Sequence, residues 1–462
     1  MGIALRNVAE VRAALASGAR SAEQIVAATL ADIAARDPGL NAFVALDAAR
    51  AMADARRIDE LRRLGAPLGP LAGATIGIKD LIDVAGLPTG GGSRSRAGVA
   101  PAASDAPVVA RLRAAGAIVR GKTHTVEFAF GGWGTNETLG TPRNPRDLAR
   151  RRTPGGSSNG SGVAVAAGLC LAAIGSDTGG SIRLPASFCG VVGLKTTIGL
   201  VDTRDVLPLA TMFDTLGPLT DSVGDAAALL AALAPAQDER RPGWSARLAA
   251  LAHGAGAAIA GRRIGVIANL GVDLHPDTAR VFRASAEALE AAGAVVEAVT
   301  LPRTVRALSE PCNEILSIEA YRLYGRLAEA EPCLLGAPVA RRVLSGRDIP
   351  AHRLMAILAW REAWKQEMAL LFDRLDAIVT PTTPFPAPTL EEHDEESSPA
   401  SFTRFVNFLD LAALSLPMGA TPDGLPVGMQ IVVPGLGEPL ALEIGAALER
   451  GRGPLLLGAA AA

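Results

Sequence analysis

Cysteine is scarce in this chain: four in 462 residues, Cys170, Cys189, Cys312 and Cys333, with no CxxC pair. A chain this long with so few is no disulfide framework, and buried free thiols in a reducing cytoplasm are expected. Histidine is nearly as scarce. Five are scattered without an HExxH pair or a Cys/His cluster, so no metal site and no cofactor are expected. An excess of either charge is missing too, with 45 basic against 47 acidic residues. That balance gives no electrostatic reason to bind nucleic acid or an anionic membrane. The longest run of small apolar residues, 162–175, is shorter than the ~20 residues a membrane span needs. The first residues lack an apolar core before a cleavage site, and Arg6 breaks a myristoylation pattern. No fixed-period repeat is present, which argues against a solenoid.

What the chain has in quantity is apolar residues, 49%, and glycine, 50 residues. Such a composition builds a large core and is not that of a disordered chain. Over 5–64 apolar residues recur at helical spacing, as in Val8, Val11 and Leu15, and Ser21 is placed to cap a second helix. From about Pro67 short apolar runs such as ATIGIKDLIDV and GAIVRGK alternate with helical stretches such as APVVARLRAAG, the texture of an α/β sheet. Residues 235–262 read as a variable surface region, GRRIGVIANL as a strand entry and 305–375 as helical. DAIVTPTTPFPAP reads as a strand entering a proline-rich loop, and EEHDEES (391–397) as a solvated acidic loop.

Residues 116–123, GAIVRGKT, match the phosphate-loop pattern GxxxxGK[ST] in full. A phosphate loop needs a strand before its first glycine and a helix after its threonine. Here a helical stretch precedes it, and Ile118 and Val119 look like the strand itself, so nucleotide binding is not expected.

The densest glycine–serine stretch is PGGSSNGSGVAVAAGLCLAAIGSDTGGS (154–181). Linkers lack apolar runs between their glycines, so these glycines mark tight turns or close backbone approaches. GSDTGGSIR reads as a strand end, a tight turn and a helix start. Amides at such a turn are unpaired and can hold a developing oxyanion. On turn chemistry alone two readings of Ser181 stay open, a helix N-cap or a hydroxyl sharing that oxyanion space.

GGSSNGSGVAVAAGLCLAAIGSDTGGSIRLPASFCGVVGLK (155–195) closely resembles the defining stretch of the amidase signature family. Other family landmarks follow in order over nearly the whole chain: PLAGATIGIKDLIDVAGLPTGGGS, GKTHTVEFAFG, TNETLGTPRNP, TPTTPFPAP and SLPMGATPDGLPVGMQIV. The resemblance implies one large α/β domain over residues 1–462. Its mixed, mostly parallel β-sheet would be covered by helices on both faces, with a core at about 65–225 and a variable helical region at about 235–375. It implies Ser181 as nucleophile, Ser157 as bridging serine after a cis Gly156–Ser157 peptide, and Lys79 as base. It further implies an oxyanion hole from Thr178, Gly179, Gly180 and Ser181, and a cleavable small-molecule amide as substrate. Phe130, Gly131, Gly132 and Trp133 are expected at the substrate pocket, although Phe128 and Phe130 read equally well as core. Asp177 and Arg183 are expected to pair and fix the loop.

Three positions depart from the family pattern: Thr196 in GLKTTIG, Asn159 in GSSNGSG, and His124 where asparagine is usual. His124 is not expected to act as a base. A stand-alone hydrolase of amides, and also of carbamates or esters, is expected, with a homodimer as the default assembly. The alternative is the glutaminase subunit of a tRNA-dependent amidotransferase. That subunit usually carries a GR-SRYG stretch, for which GLVDTRDVLPLATMFDTLGPL (199–219) is a poor match.

Overall fold

Short β-branched and glycine-broken runs form eleven strands: β1 Phe43–Leu46, β2 Thr75–Lys79, β3 Ile118–Thr123, β4 Ala172–Asp177, β5 Val192–Lys195, β6 Thr215–Thr220, β7 Arg263–Ile267, β8 Val295–Val299, β9 Ala377–Pro381, β10 Ala412–Ala420 and β11 Pro426–Val433. They make one sheet in the order β1-β3-β2-β4-β6-β5-β10-β11-β9-β7-β8. The structure, a computed structural model, describes residues 5–234, 240–256, 258–453, 455 and 457. The domain is α/β, and its sheet is mixed. Parallel ladders form two blocks, β3-β2-β4 and β9-β7-β8, joined by antiparallel ladders.

The central strands are buried on both faces, which is why they read as continuous apolar runs rather than as alternation. In β10, Ala412, Leu414 and Leu416 pack into one cluster, which includes Leu442 and Leu448 of the helix Glu438–Arg452. Ala413 points the other way, into a cluster with Phe405 and Phe408. The period of two thus feeds two separate cores, one on each face.

Helices Val8–Ser17, Ala22–Leu40 and Ala48–Arg63 occupy the N-terminal region. Ser21 caps the second through a reciprocal capping box with Gln24. Between them lies β1, which helical spacing did not anticipate. Four residues are too few to show a period, and β1 exists by pairing with β3. The phosphate-loop match is a strand: β3 runs through it, and Lys122 is spent on an ion pair with Asp80 at 3.1 Å. Of the expected surface region at 235–262, residues 235–239 and 257 lie outside the described residues. The rest includes the helix Trp244–Ala252, whose Trp244 and Leu248 are buried. Its alanine-rich composition hid an apolar stripe. Cys170, Cys189 and Cys312 are buried and free, whereas Cys333 is exposed. Among the described residues no helix is long and apolar enough to cross a membrane.

β2 and β4 run parallel with Ile78 opposite Ile174. Their C-terminal ends therefore lie side by side, the usual place for chemistry in α/β sheets. Lys79 ends one strand and Asp177 the other.

Candidate active site

Lys79 is fully buried at the end of β2. Its Nζ lies 2.7 Å from Ser157 Oγ and 2.9 Å from Ser176 Oγ. Burial pushes its pKa down to about 7, although the charges of Asp177 and Asp214 pull the other way. A lysine poised there can exchange a proton at neutral pH. Ser157 is equally buried and follows a cis Gly156–Ser157 peptide. The segment 155–156 crosses 132–134 closely: Gly155 N–H donates to Trp133 O and Gly156 N–H to Gly132 O. A Cβ on Gly156 would sit 2.6 Å from Gly131 O, so this crossing requires glycine.

Ser181 is the outermost of the three, 8% exposed and on the wall of a cleft of about 620 Å³. It does not cap a helix. The helix begins at Arg183 after Ile182, without a side-chain cap, and among the described residues the Ser181 hydroxyl has no hydrogen-bond partner. Ser158 N–H donates to Ser181 O at 3.1 Å, which brings the two serine segments together.

The turn between β4 and that helix is built around Asp177. Its carboxylate accepts from Gly180 N–H at 2.8 Å and Ile182 N–H at 3.1 Å. Arg183 grips it with Nε at 3.0 Å and Nη2 at 2.9 Å, the expected pair. Burial raises the Asp177 pKa, but the Arg183 guanidinium and the hydrogen bonds outweigh it and hold the carboxyl well below the usual range. The amides expected to form the oxyanion hole lie in this turn. The Gly180 N–H is engaged by Asp177. Among the described residues the Gly179 and Ser181 amides lack a protein acceptor and are free to serve an oxyanion. The Thr178 hydroxyl, as distinct from its amide, donates to Asp214 at 2.6 Å.

Phe130, Gly131 and Gly132 line the cleft. Trp133 does not. Its ring stacks between Phe188 and Phe385, and its indole N–H donates to Asp394 O at 2.9 Å. Gly134, next in the chain, has a φ of +88° and turns the backbone away there. Phe128 is core, stacked on Tyr324 with centroids 4.1 Å apart. His124 is buried, with Nδ1 3.1 Å from Thr125 O, and burial pushes its pKa down to about 4. The neutral ring has no hydrogen bond to Ser181. The acidic stretch 391–397 is not simply solvated either. Glu395 pairs with Arg342 and, with Glu396, lines the cleft.

Ser176, Asp214 and Arg404 are site residues that local patterns missed. Ser176 and Asp214 come to Lys79 only through strand pairing and the fold of 207–214. A run such as SFTRFVNF gives no sign that its arginine faces a cleft.

Known proteins are similar to this chain in sequence and in fold. The family model described as Amidase matches residues 24–442. A glutamyl-tRNA(Gln) amidotransferase chain from Koribacter versatilis (strain Ellin345), one subunit of that enzyme, is 34% identical, covering 97% of this chain and 99% of its own length. A 2-amino-5-chloromuconic acid deaminase from Comamonas testosteroni is 37% identical, covering 92% of this chain and 91% of its own. The solved structure of native peptide amidase from Stenotrophomonas maltophilia superposes with a TM-score of 0.81 at 32% identity, covering 96% of both chains.

Proposed function

The chain belongs to the amidase family and is an amide-hydrolysing enzyme, and from that premise we propose a stand-alone serine hydrolase of small carboxylic amides with Ser181 as nucleophile. The observation that carries this reading is the buried Lys79 Nζ, 2.7 Å from Ser157 Oγ, behind a cleft-facing Ser181. Neutral Lys79 takes the Ser157 proton as Ser157 takes the Ser181 proton. Ser181 Oγ then bonds to the amide carbonyl carbon, and the Gly179 and Ser181 amides hold the oxyanion. Collapse breaks the C–N bond, and the proton returns through Ser157 to the leaving amine. Water then cleaves the acyl ester by the same relay. Every proton in these steps is carried by the chain's own side chains.

A second reading, the glutaminase subunit of an amidotransferase, is supported by the amidotransferase relative. Likeness to a peptide amidase and to a deaminase named for an acid substrate supports the stand-alone reading. The purified chain, free of other subunits, should release ammonia or amine from one or more members of a panel of aryl, aliphatic and dicarboxylic amides. Turnover of free glutamine alone, and only with co-purifying subunits, would replace the first reading with the second.

The pH dependence has a fixed sign. The base form of Lys79 is needed, and its pKa lies near 7. kcat/KM should therefore rise about tenfold per pH unit below that value and level off above it. A profile flat from pH 5 to 9 would remove Lys79 from the role of base.

A further inference from the structure

Four arginines line the cleft: Arg306, Arg341, Arg342 and Arg404. Three have carboxylate partners within the same wall. Arg306 pairs with Glu310 at 2.9 Å, Arg341 with Glu396 at 2.9 Å, and Arg342 with Glu395. Among the described residues Arg404 has no acidic partner. Its single hydrogen bond runs from Nη2 to Ser398 Oγ at 3.0 Å. A guanidinium has five N–H donors, so most of this fork is unused.

The side chain is held close to the reacting centre. Its neighbour Thr403 donates to Gly179 O at 2.7 Å, and Asn407 Nδ2 lies 3.0 Å from Asp177 Oδ1. Phe405 N–H donates to Ser309 Oγ at 3.2 Å. The Arg404 backbone is thus bound to the nucleophile turn on one side and to the helix Val305–Ala328 on the other. A Cβ on Gly179 would lie 3.3 Å from Arg404 Cγ. A half-buried cation without a counter-ion is costly, and a planar fork of free donors fits a carboxylate in bidentate fashion.

We propose that this enzyme selects amides that carry a carboxylate, and that Arg404 is the residue that binds it. The proposal rests on the amide-hydrolase reading above. Three glutamates already neutralise the other cleft arginines, so the incoming anion would pair the one cleft arginine left without an acidic partner among the described residues. The carboxylate has two possible sources, the acyl part of the substrate or its leaving group.

Steady-state kinetics with shape-matched pairs that differ in charge tests this: glutaramate against valeramide for the acyl part, and an N-acylglycine against the matching N-acyl ethylamide for the leaving group. In one pair the anionic member should have the higher kcat/KM by about tenfold or more, since charge-assisted hydrogen bonds are lost with the neutral one. Arg404→Met keeps the stem and removes the charge. It should lower the anionic-to-neutral selectivity ratio by about tenfold, to near one, mainly through KM. Arg404→Glu should shift preference toward 4-aminobutanamide, whose charge is positive. A purely structural Arg404 would lower both members of each pair together and leave the ratio unchanged, which overturns the proposal. So would wild-type indifference to charge. Calorimetry of glutarate and acetylglycine binding to the Ser181→Ala protein separates this from the fate of the hydrolase reading. Binding that Arg404→Met abolishes supports the anion site without any turnover, and no binding of either anion rejects it.

Discussion

Ser181→Ala is expected to leave a folded protein that hydrolyses amides on the order of 10⁴- to 10⁶-fold more slowly, as removal of a serine nucleophile does elsewhere. The hydroxyl has no protein partner among the described residues and faces the cleft. Its removal leaves no buried group unpaired, so the melting temperature should stay within about 2 °C of wild type, the behaviour of substitutions that break no buried contact. The second half of that result makes the first interpretable, since lost activity then cannot be lost fold. A serine-directed covalent probe gives the independent check. Wild type should label and Ser181→Ala should not. Equal labelling of both would mean the nucleophile lies elsewhere. Ser157→Ala differs physically: it takes away a partner of the buried Lys79 Nζ and leaves Ser176 as the remaining one. That variant should lose stability along with activity.

The largest stability effect should come from Arg183→Leu. Both members of the Arg183–Asp177 pair are fully buried. Arg183 also donates to Thr403 O at 2.9 Å, Gln430 Oε1 at 3.0 Å and Asn407 Oδ1 at 2.7 Å. Leucine would strand the Asp177 carboxylate and leave those acceptors bare. Breaking a buried pair from one side costs about 3–5 kcal/mol. Adding Asp177→Asn should return part of that loss, because an amide is far cheaper than an unpaired charge to bury. Thermal and denaturant unfolding of the three variants would show it, and a loss under about 1 kcal/mol for Arg183→Leu would refute the account. The pH dependence follows from the depressed Asp177 pKa. In the unfolded chain the carboxyl titrates near 3.8. Its contribution is therefore complete at neutral pH and is lost only as pH falls below that value, toward the lower folded pKa.

These two residues also explain why so much of the site could be read early. Lys79, Ser157 and Ser181 stand in stretches whose glycines, apolar runs and spacing follow a family pattern, and the Asp177–Arg183 pair lies within six positions. Strand ends, tight turns and helix starts are local features, encoded where they occur by period and by glycine. Ser181 as helix cap was the natural local reading. It failed because the helix starts at Arg183 after Ile182, and the Leu184 amide that a Ser181 cap could have taken donates to Gly180 O instead.

The rest was decided at long range. The Gly180 N–H was drawn to a carboxylate three residues back. Trp133 left the pocket because Phe188 and Phe385 formed a better apolar slot for its ring. The acidic stretch at 391–397 became a cleft wall because Arg341 and Arg342, some fifty residues earlier, supplied partners. Arg404 acquired its meaning only when every other cleft arginine had been paired. The sequence alone determined which groups the chain owns, its alternation of helix and strand, and, through family resemblance, the three expected catalytic positions. Tertiary structure decided which of those groups are spent on one another and which stay free for a substrate. Hydrogen bonds and ion pairs saturate: each donor or charge satisfied inside the fold is withdrawn from function, and no local pattern records a partner two hundred residues away.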